Sequence, residues 1–376
     1  QISSRRTGQA PRPSMSGCPV KNSAGDTQSA AQRQARWWTP GTHADRRPFL
    51  AARGKIRGFV REFFAGEGFT EVECGLLQAA PCAETHLHGF STERVRADGR
   101  PEILWLPTSP ELMAKRLLAA GETKIYDLAR AFRNREESAI HASEFTMLEW
   151  YRAYAPYDAV IADTLKIVRG AAEAAGAARL SHRGREADPA AQEERLTLAE
   201  AFDRFAGIDL LALVDASGAT DRDGFAAAAQ AVGVRVAADD GWSDVFTRVM
   251  AEKVEPGLDP SRLTVLCEYP APEAALARRA PHDARVAERF ELYACGVELA
   301  NGFGELTDAA EQRARWIAAM AEKKRLYGED YPVDEDFLEA LALMPPASGV
   351  ALGFDRLVML CTGASRIGQV IWTPLE

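Results

Sequence analysis

The 376-residue sequence has only six cysteines, at positions 18, 74, 82, 267, 295 and 361, and no two are spaced C-x-x-C. Scattered cysteines of this kind read as reduced, mostly buried thiols of a cytosolic protein, not as a disulfide framework. His86 and His88 lie near Cys82, but no second cluster completes a tetrahedral zinc site. Neither G-x-G-x-x-G nor G-x-x-x-x-G-K-[ST] occurs, which removes the signatures of dinucleotide-binding and P-loop folds. No apolar run approaches the roughly 20 residues that a membrane-spanning helix needs. Positive charge is not in excess either: 45 Lys and Arg against 54 Asp and Glu give a net −9. That balance argues against a protein living by non-specific contact with nucleic acid or an anionic membrane.

What is present is ordinary globular material, 47% hydrophobic and 26% charged, long enough for two or three domains of about 150 residues. Residues 1–36 stand apart, with six basic residues, a single acid (Asp26) and almost no large aliphatics. Such a segment buries too little apolar surface to offset chain entropy and is expected to be a disordered basic tail. Its composition also fits an organellar transit segment, or an over-extended start with Met15 as initiator. The remaining residues, 37–376, hold 39 basic and 53 acidic residues, a net −14.

From Arg46 to Glu67 apolar residues recur at helical spacing, and Gly66 and Gly68 stop the helix before a short strand at 69–73. A strand at 103–106 runs into Thr108-Ser109-Pro110-Glu111, where Ser109 reads as the N-cap and Pro110 as the first residue of a helix over 112–118. Residues 125–133 and 144–154 read as paired strands joined by a charged loop, and 157–176 as an Ala-rich helix. The stretch 177–285, rich in Ala, Asp and Gly, reads as a helical embellishment. Strands follow at 263–269, 290–294 and 297–299, then a helix at 308–326 and a strand-to-helix unit at 349–362. The expected class is α+β, an antiparallel sheet flanked by helices.

Three segments place charges inside apolar strand patterns, where burial is costly unless the charge is paired or meets a ligand. They are Phe132-Arg133-Asn134, Glu298 to Glu305 (ELANGFGE), and Gly349 to Arg356 (GVALGFDR). Two arginines at element ends suit an anion clamp. Two carboxylates seven residues apart across an Asn-Gly turn suit magnesium or an ammonium group. Gly349, Ala351 and Gly353 would let a ligand approach the backbone. Taken singly, each arginine also fits a structural ion pair, each glutamate a solvated strand edge, and each glycine a packing role.

Together these segments resemble the class II aminoacyl-tRNA synthetases in their lysyl form. Phe132-Arg133-Asn134 with Glu144 to Tyr151 (EFTMLEWY) is similar to motif 2, Gly349 to Leu360 to motif 3, and the 46–73 helix and strand stand in the place of motif 1. Within the family the chain resembles the short lysyl-tRNA synthetase paralogues that join (R)-β-lysine to elongation factor P, because only 45 residues precede motif 1 and an anticodon-binding domain needs more than a hundred. The resemblance implies one catalytic domain over 37–376, a cytoplasmic homodimer, ATP and Mg, no membrane and no tRNA partner. It implies that Arg133, Arg356 and Glu298 are catalytic. Asn134, Glu136, His141, Phe145, Leu299 and Gly353 would join them around ATP, with Phe145 and Arg356 on opposite faces of adenine. Ser109, Pro110, Glu111, Glu149, Tyr151, Asn301, Glu305 and Ala351 would line the amino-acid pocket, and Glu298 and Glu305 would hold the metal. Lysyl-tRNA synthetases have glycine where Ala351 stands, and the β-lysine ligases have alanine.

The chain departs from the family pattern at Arg135, where glutamate is usual, at Ala142-Ser143 in place of Asn-Pro, and at Cys74-Gly75 in place of the motif 1 proline. His141 fits a site role and a structural one equally. Two other functions stay open at this level: a lysyl-type enzyme charging tRNA, and a catalytically inactive synthetase-like module.

Overall fold

The computed structural model describes residues 36–375; the basic-tail expectation falls outside them. The chain opens with helix α1 (Pro40–Gly66), the short strand β1 (Thr70–Glu71) and a hairpin of β2 (Phe90–Val95) and β3 (Pro101–Leu106). Helix α2 (Glu111–Ala119) leads into β4 (Lys124–Phe132), β5 (Glu144–Ala153) and α3 (Tyr157–Ala175). A second hairpin, β6 (Leu180–His182) and β7 (Arg185–Ala187), precedes β8 (Glu194–Thr197) and the helices α4 (Leu198–Ala206), α5 (Arg222–Ala231), α6 (Trp242–Val249) and α7 (Glu255–Gly257). The chain then runs through β9 (Thr264–Pro270), β10 (Val286–Ala294), β11 (Val297–Gly304), α8 (Ala309–Tyr327), α9 (Glu335–Leu341), β12 (Ala347–Gly353) and α10 (Phe354–Thr362).

Among the described residues, eight strands form one sheet in the order β1-β4-β5-β12-β11-β10-β9-β8. Its central pairs are antiparallel, and only the edge pairs β1–β4 and β8–β9 are parallel. The α+β expectation is therefore what the chain adopts. Alternation along the strands separates the two faces. Leu148, Trp150, Val350, Leu352, Ala300 and Leu292 point into a core shared with α1, α3 and α10. Met147, Glu149, Tyr151, Ala351 and Asn301 point the other way, into a cleft.

Two expectations need correction. Residues 177–285 are not a helical embellishment throughout, since β8 joins the main sheet beside β9, the strand expected at 263–269. The helical part runs from α4 to Leu258 and packs Phe202, Phe225, Val245 and Phe246 together with Leu266, Tyr269 and Tyr293 of the sheet. β8 spans four residues, too short for its period to stand out in an Ala- and Asp-rich stretch. Second, the N-cap of α2 is Pro110 and not Ser109, whose hydroxyl accepts from the Glu111 amide at 3.4 Å.

A buried ion pair ties the three motif segments together. The Arg53 guanidinium on α1 donates to Asp355 at the start of α10, to Thr146 Oγ1 on β5 at 2.8 Å, and to the Val370 carbonyl at 3.2 Å. Asp355 also accepts from the Thr146 amide at 2.7 Å. Both partners are buried. Breaking a buried pair by removing one partner strands the other charge, at about 3–5 kcal/mol. Arg53→Met is therefore expected to lose stability of that order in denaturant unfolding, and a loss below about 1 kcal/mol would contradict this reading.

Candidate active site

The cleft, of about 280 Å³, lies over β5, β12 and β11 between the Ser109–Glu111 segment, the loop from Arg133 to Phe145 and the start of α10. Strand register builds its floor. Glu149 on β5 stands opposite Ala351 on β12, Ala351 opposite Asn301 on β11, and Asn301 opposite Glu291 on β10. These four side chains form a row across four strands because directly paired residues share a face.

An odd spacing such as Glu298 to Glu305 should put the two carboxylates on opposite faces of a regular strand. The sheet resolves this with a bulge. Leu292 pairs with Ala300 and Tyr293 with Glu298, leaving Leu299 as the extra residue. Leu299 and Ala300 both enter the core, and the phase flips so that Glu298, Asn301 and Glu305 all reach the cleft. The expected Asn-Gly turn is absent, because Asn301-Gly302 lies within β11 and the reversal is at Cys295-Gly296.

At one end of the cleft lies a group of buried carboxyls. Lys115 on α2 places Nζ 2.6 Å from Glu111 Oε1 and 2.7 Å from Glu305 Oε2. Burial alone would lower its pKa, but the Glu111 and Glu305 charges hold it above the ordinary lysine value. Burial, opposed by Lys115, lifts the Glu305 carboxyl to about 7. Glu149 is raised well above the carboxylate range by burial and then by Glu111. Its Oε1 accepts from the Tyr151 hydroxyl at 2.5 Å, while its Oε2, like Asn301 Oδ1, is buried without a partner. Gly349 is needed here because a Cβ would fall 2.3 Å from the Tyr151 ring and 2.6 Å from Glu305 Oε1. Protein atoms, not a ligand, claim that space.

At the other end are the arginines. Arg133 donates from Nε to the Thr108 carbonyl at 3.2 Å and lies 3.9 Å from Glu136. Its guanidinium sits over the Phe145 ring, 5.3 Å from the centroid. Arg356 donates to the Glu298 carbonyl at 2.8 Å and to His141 Nε2 at 2.6 Å. A guanidinium only donates, so Nε2 accepts and the proton sits on Nδ1, which donates to Ser138 Oγ at 2.7 Å. Burial and then the Arg356 charge lower the His141 pKa and keep the ring neutral. His141 thus positions Arg356 while lining the cleft.

Loss of water, then the charge of Glu291, lifts Glu298 to about 7, against the pull of Arg356 and Arg289. A hard cation with oxygen preference would relieve that crowding. The expected Glu298–Glu305 metal pair is corrected accordingly. Glu305 is held by Lys115, and the carboxylate that crowds Glu298 is Glu291 on β10. Among the described residues, no group of three His, Cys, Asp or Glu gathers as a metal site, so such a cation would take its other oxygens from phosphate and water.

The cleft brings together most of the residues that the sequence singled out: Ser109, Glu111, Arg133, Glu136, His141, Phe145, Glu149, Tyr151, Glu298, Leu299, Asn301, Glu305, Ala351, Gly353 and Arg356. Pro110 and Asn134 do not line it. Pro110 caps α2, and Asn134 turns outward to accept from the Arg135 amide at 2.9 Å. Arg135, where the family has glutamate, donates to Glu329 at 2.5 Å beside His88. Lys115 and Glu291 were missed. The i,i+4 spacing of Glu111 and Lys115, and the seven-residue interval repeated from Glu291 through Glu298 to Glu305, were the available signals.

Residues 30–376 match the family described as tRNA synthetases class II (D, K and N). The chain is 36% identical over 324 residues to the elongation factor P–(R)-β-lysine ligase of Haemophilus influenzae (strain PittGG), covering 86% of this chain and 93% of that one. It is 37% identical over 331 residues to the elongation factor P–(R)-β-lysine ligase of Sodalis glossinidius, covering 87% and 95%. It is 37% identical over 326 residues to the lysine–tRNA ligase of Pelotomaculum thermopropionicum, covering 86% of this chain but 62% of that one. The chain belongs to the class II tRNA synthetase family, in its aspartyl, lysyl and asparaginyl branch.

Proposed function

We propose that this chain is an ATP-dependent ligase that activates (R)-β-lysine as an adenylate and transfers it to a lysine side chain of elongation factor P. The observation that carries the amino-acid assignment is the charge of the pocket. Glu111, Glu149 and Glu305 face one ammonium, Lys115, so with all groups ionised the pocket is two positive charges short of neutral. A diamino acid brings two. Burial favours the neutral forms of Glu149 and Glu305, and each ammonium brought into the pocket favours ionising one of them, so a monoamino acid would leave one carboxyl protonated and unmatched.

In the first step a carboxylate oxygen of the amino acid attacks the α-phosphorus of ATP, the bond from that phosphorus to its bridging oxygen breaks, and pyrophosphate leaves. Arg133 and Arg356 would neutralise the charge that builds on the phosphates, a contribution of positioning and electrostatics. Glu298, with Glu291 behind it, would hold a magnesium ion that neutralises phosphate charge. In the second step the acceptor lysine nitrogen attacks the carbonyl carbon, AMP leaves, the nitrogen loses a proton and an amide forms. The resemblance supports a cytoplasmic homodimer that uses neither tRNA nor a membrane surface. Among the described residues no helix is long and apolar enough to cross a membrane.

Ala351 supports the β-isomer over α-lysine. Its methyl lies in the row between Glu149 and Asn301, where it would crowd the α-amino position. A methyl is worth about 1–3 kcal/mol in such discrimination. Pyrophosphate exchange with (R)-β-lysine is expected to exceed that with α-lysine, and Ala351→Gly should reduce the ratio about tenfold or more. Equal exchange with both isomers in the unsubstituted protein would contradict the β-lysine assignment.

A further inference from the structure

A second cavity, of about 570 Å³, lies behind the loop that closes the cleft. Its wall joins Ser138 to His141 of that loop with the turn of the β6–β7 hairpin and the β10–β11 turn at Cys295-Gly296. The titratable side chains in its lining are His141, His182, Arg183, Arg185 and Cys295, and no carboxylate lines it. Glu186, on the same hairpin, lies outside the lining, 4.0 Å from Arg179. Arg183 and Arg185 are exposed and make no ion pair among the described residues. The guanidinium of Arg185 is laid across Gly296, where a Cβ would fall 1.9 Å from it. His182, 8% exposed, is among the lining residues, and its Nδ1 is buried without a partner.

Two free guanidiniums in one concave wall that holds no carboxylate make a receptor for a small, highly charged anion. Ile140 and His141 belong to this cavity and to the cleft alike, and His141 holds Arg356 at 2.6 Å. The cavity is thus one side chain away from the phosphate clamp. We propose that it is a second polyphosphate site, which takes pyrophosphate beside a bound nucleotide and gives the leaving group a station outside the cleft. The choice of pyrophosphate rests on the adenylation reading; the anion site itself rests on the cavity wall.

The test is calorimetric titration of the full chain with inorganic pyrophosphate while a non-hydrolysable α,β-methylene ATP analogue saturates the cleft. About one pyrophosphate per chain is expected to bind. Arg183→Ala with Arg185→Ala should weaken that binding about tenfold or more and leave the analogue's affinity within about twofold, because neither arginine lines the cleft. No binding beside the analogue, or binding untouched by the double substitution, would overturn the proposal. Binding requires no turnover, so a failure of amino-acid activation would strike the functional reading alone. In that event a titration without the analogue, compared between the two proteins, still decides whether the cavity holds the anion.

Discussion

Arg133→Ala is expected to bring adenylate formation down by about 10²–10³-fold, the usual effect of losing one preorganised group that meets transition-state charge. The guanidinium donates one hydrogen bond, from Nε to the Thr108 carbonyl, and Arg133 lines the cleft. Its nearest carboxylate, Glu136, is 3.9 Å away, and both side chains are more than a quarter exposed. Little folding energy is therefore at stake, since exposed pairs are worth about 0–1 kcal/mol. Exchange activity should fall while thermal unfolding stays nearly unchanged. Exchange within about tenfold of the unsubstituted protein would remove Arg133 from the phosphate clamp.

Lys115→Met is expected to have the opposite signature, a large loss of stability. Lys115 is 1% exposed and is the one ammonium that contacts both Glu111 and Glu305. Without it two buried carboxylates face each other across the pocket, and loss of one partner of a buried pair costs about 3–5 kcal/mol. Adding Glu305→Gln to Lys115→Met removes one stranded charge and should recover part of the loss, as a coupling of about 1–3 kcal/mol in a double-mutant cycle by denaturant unfolding. Strict additivity would mean that the two groups do not share a charge network. The same pair separates the pocket's structural charge from its substrate-binding charge. Lys115 balances one carboxylate within the protein, and under the proposed function the two ammonium groups of the diamino acid would meet the other two carboxyls.

Much of this arrangement was legible before any coordinates. Arg133, Glu298 and Arg356 stood out because a charge within an apolar strand pattern needs a partner or a ligand, and the cleft gathers all three. The long paired strands β4 and β5, the Ala-rich α3 and the β12–α10 unit were readable from strong periodicity and a Gly at the α3 C-cap. Other features depend on tertiary context that local pattern does not carry. The bulge at Leu299 exists because β11 must serve core and cleft at once, and a seven-residue interval does not announce a change of phase. Lys115 has the spacing of an ordinary surface pair with Glu111, and only the fold brings Glu305, just past the end of β11, against it. Glu291 was hidden in a strand read for its apolar residues. Its register opposite Asn301 is what brings it to the cleft side. Arg135 reads as a loss when set against the family pattern, whereas in the fold it is matched by Glu329.

The central claim is that the activated amino acid goes to a protein lysine. The direct measurement supplies the enzyme, ATP, magnesium and labelled (R)-β-lysine with elongation factor P and lysine tRNA in parallel, and follows label that survives mild alkali, which spares amides and cleaves tRNA esters. The account predicts alkali-stable label on elongation factor P, lost when its acceptor lysine is changed to arginine, with no comparable charging of tRNA. Alkali-labile label on tRNA with none on elongation factor P would contradict it.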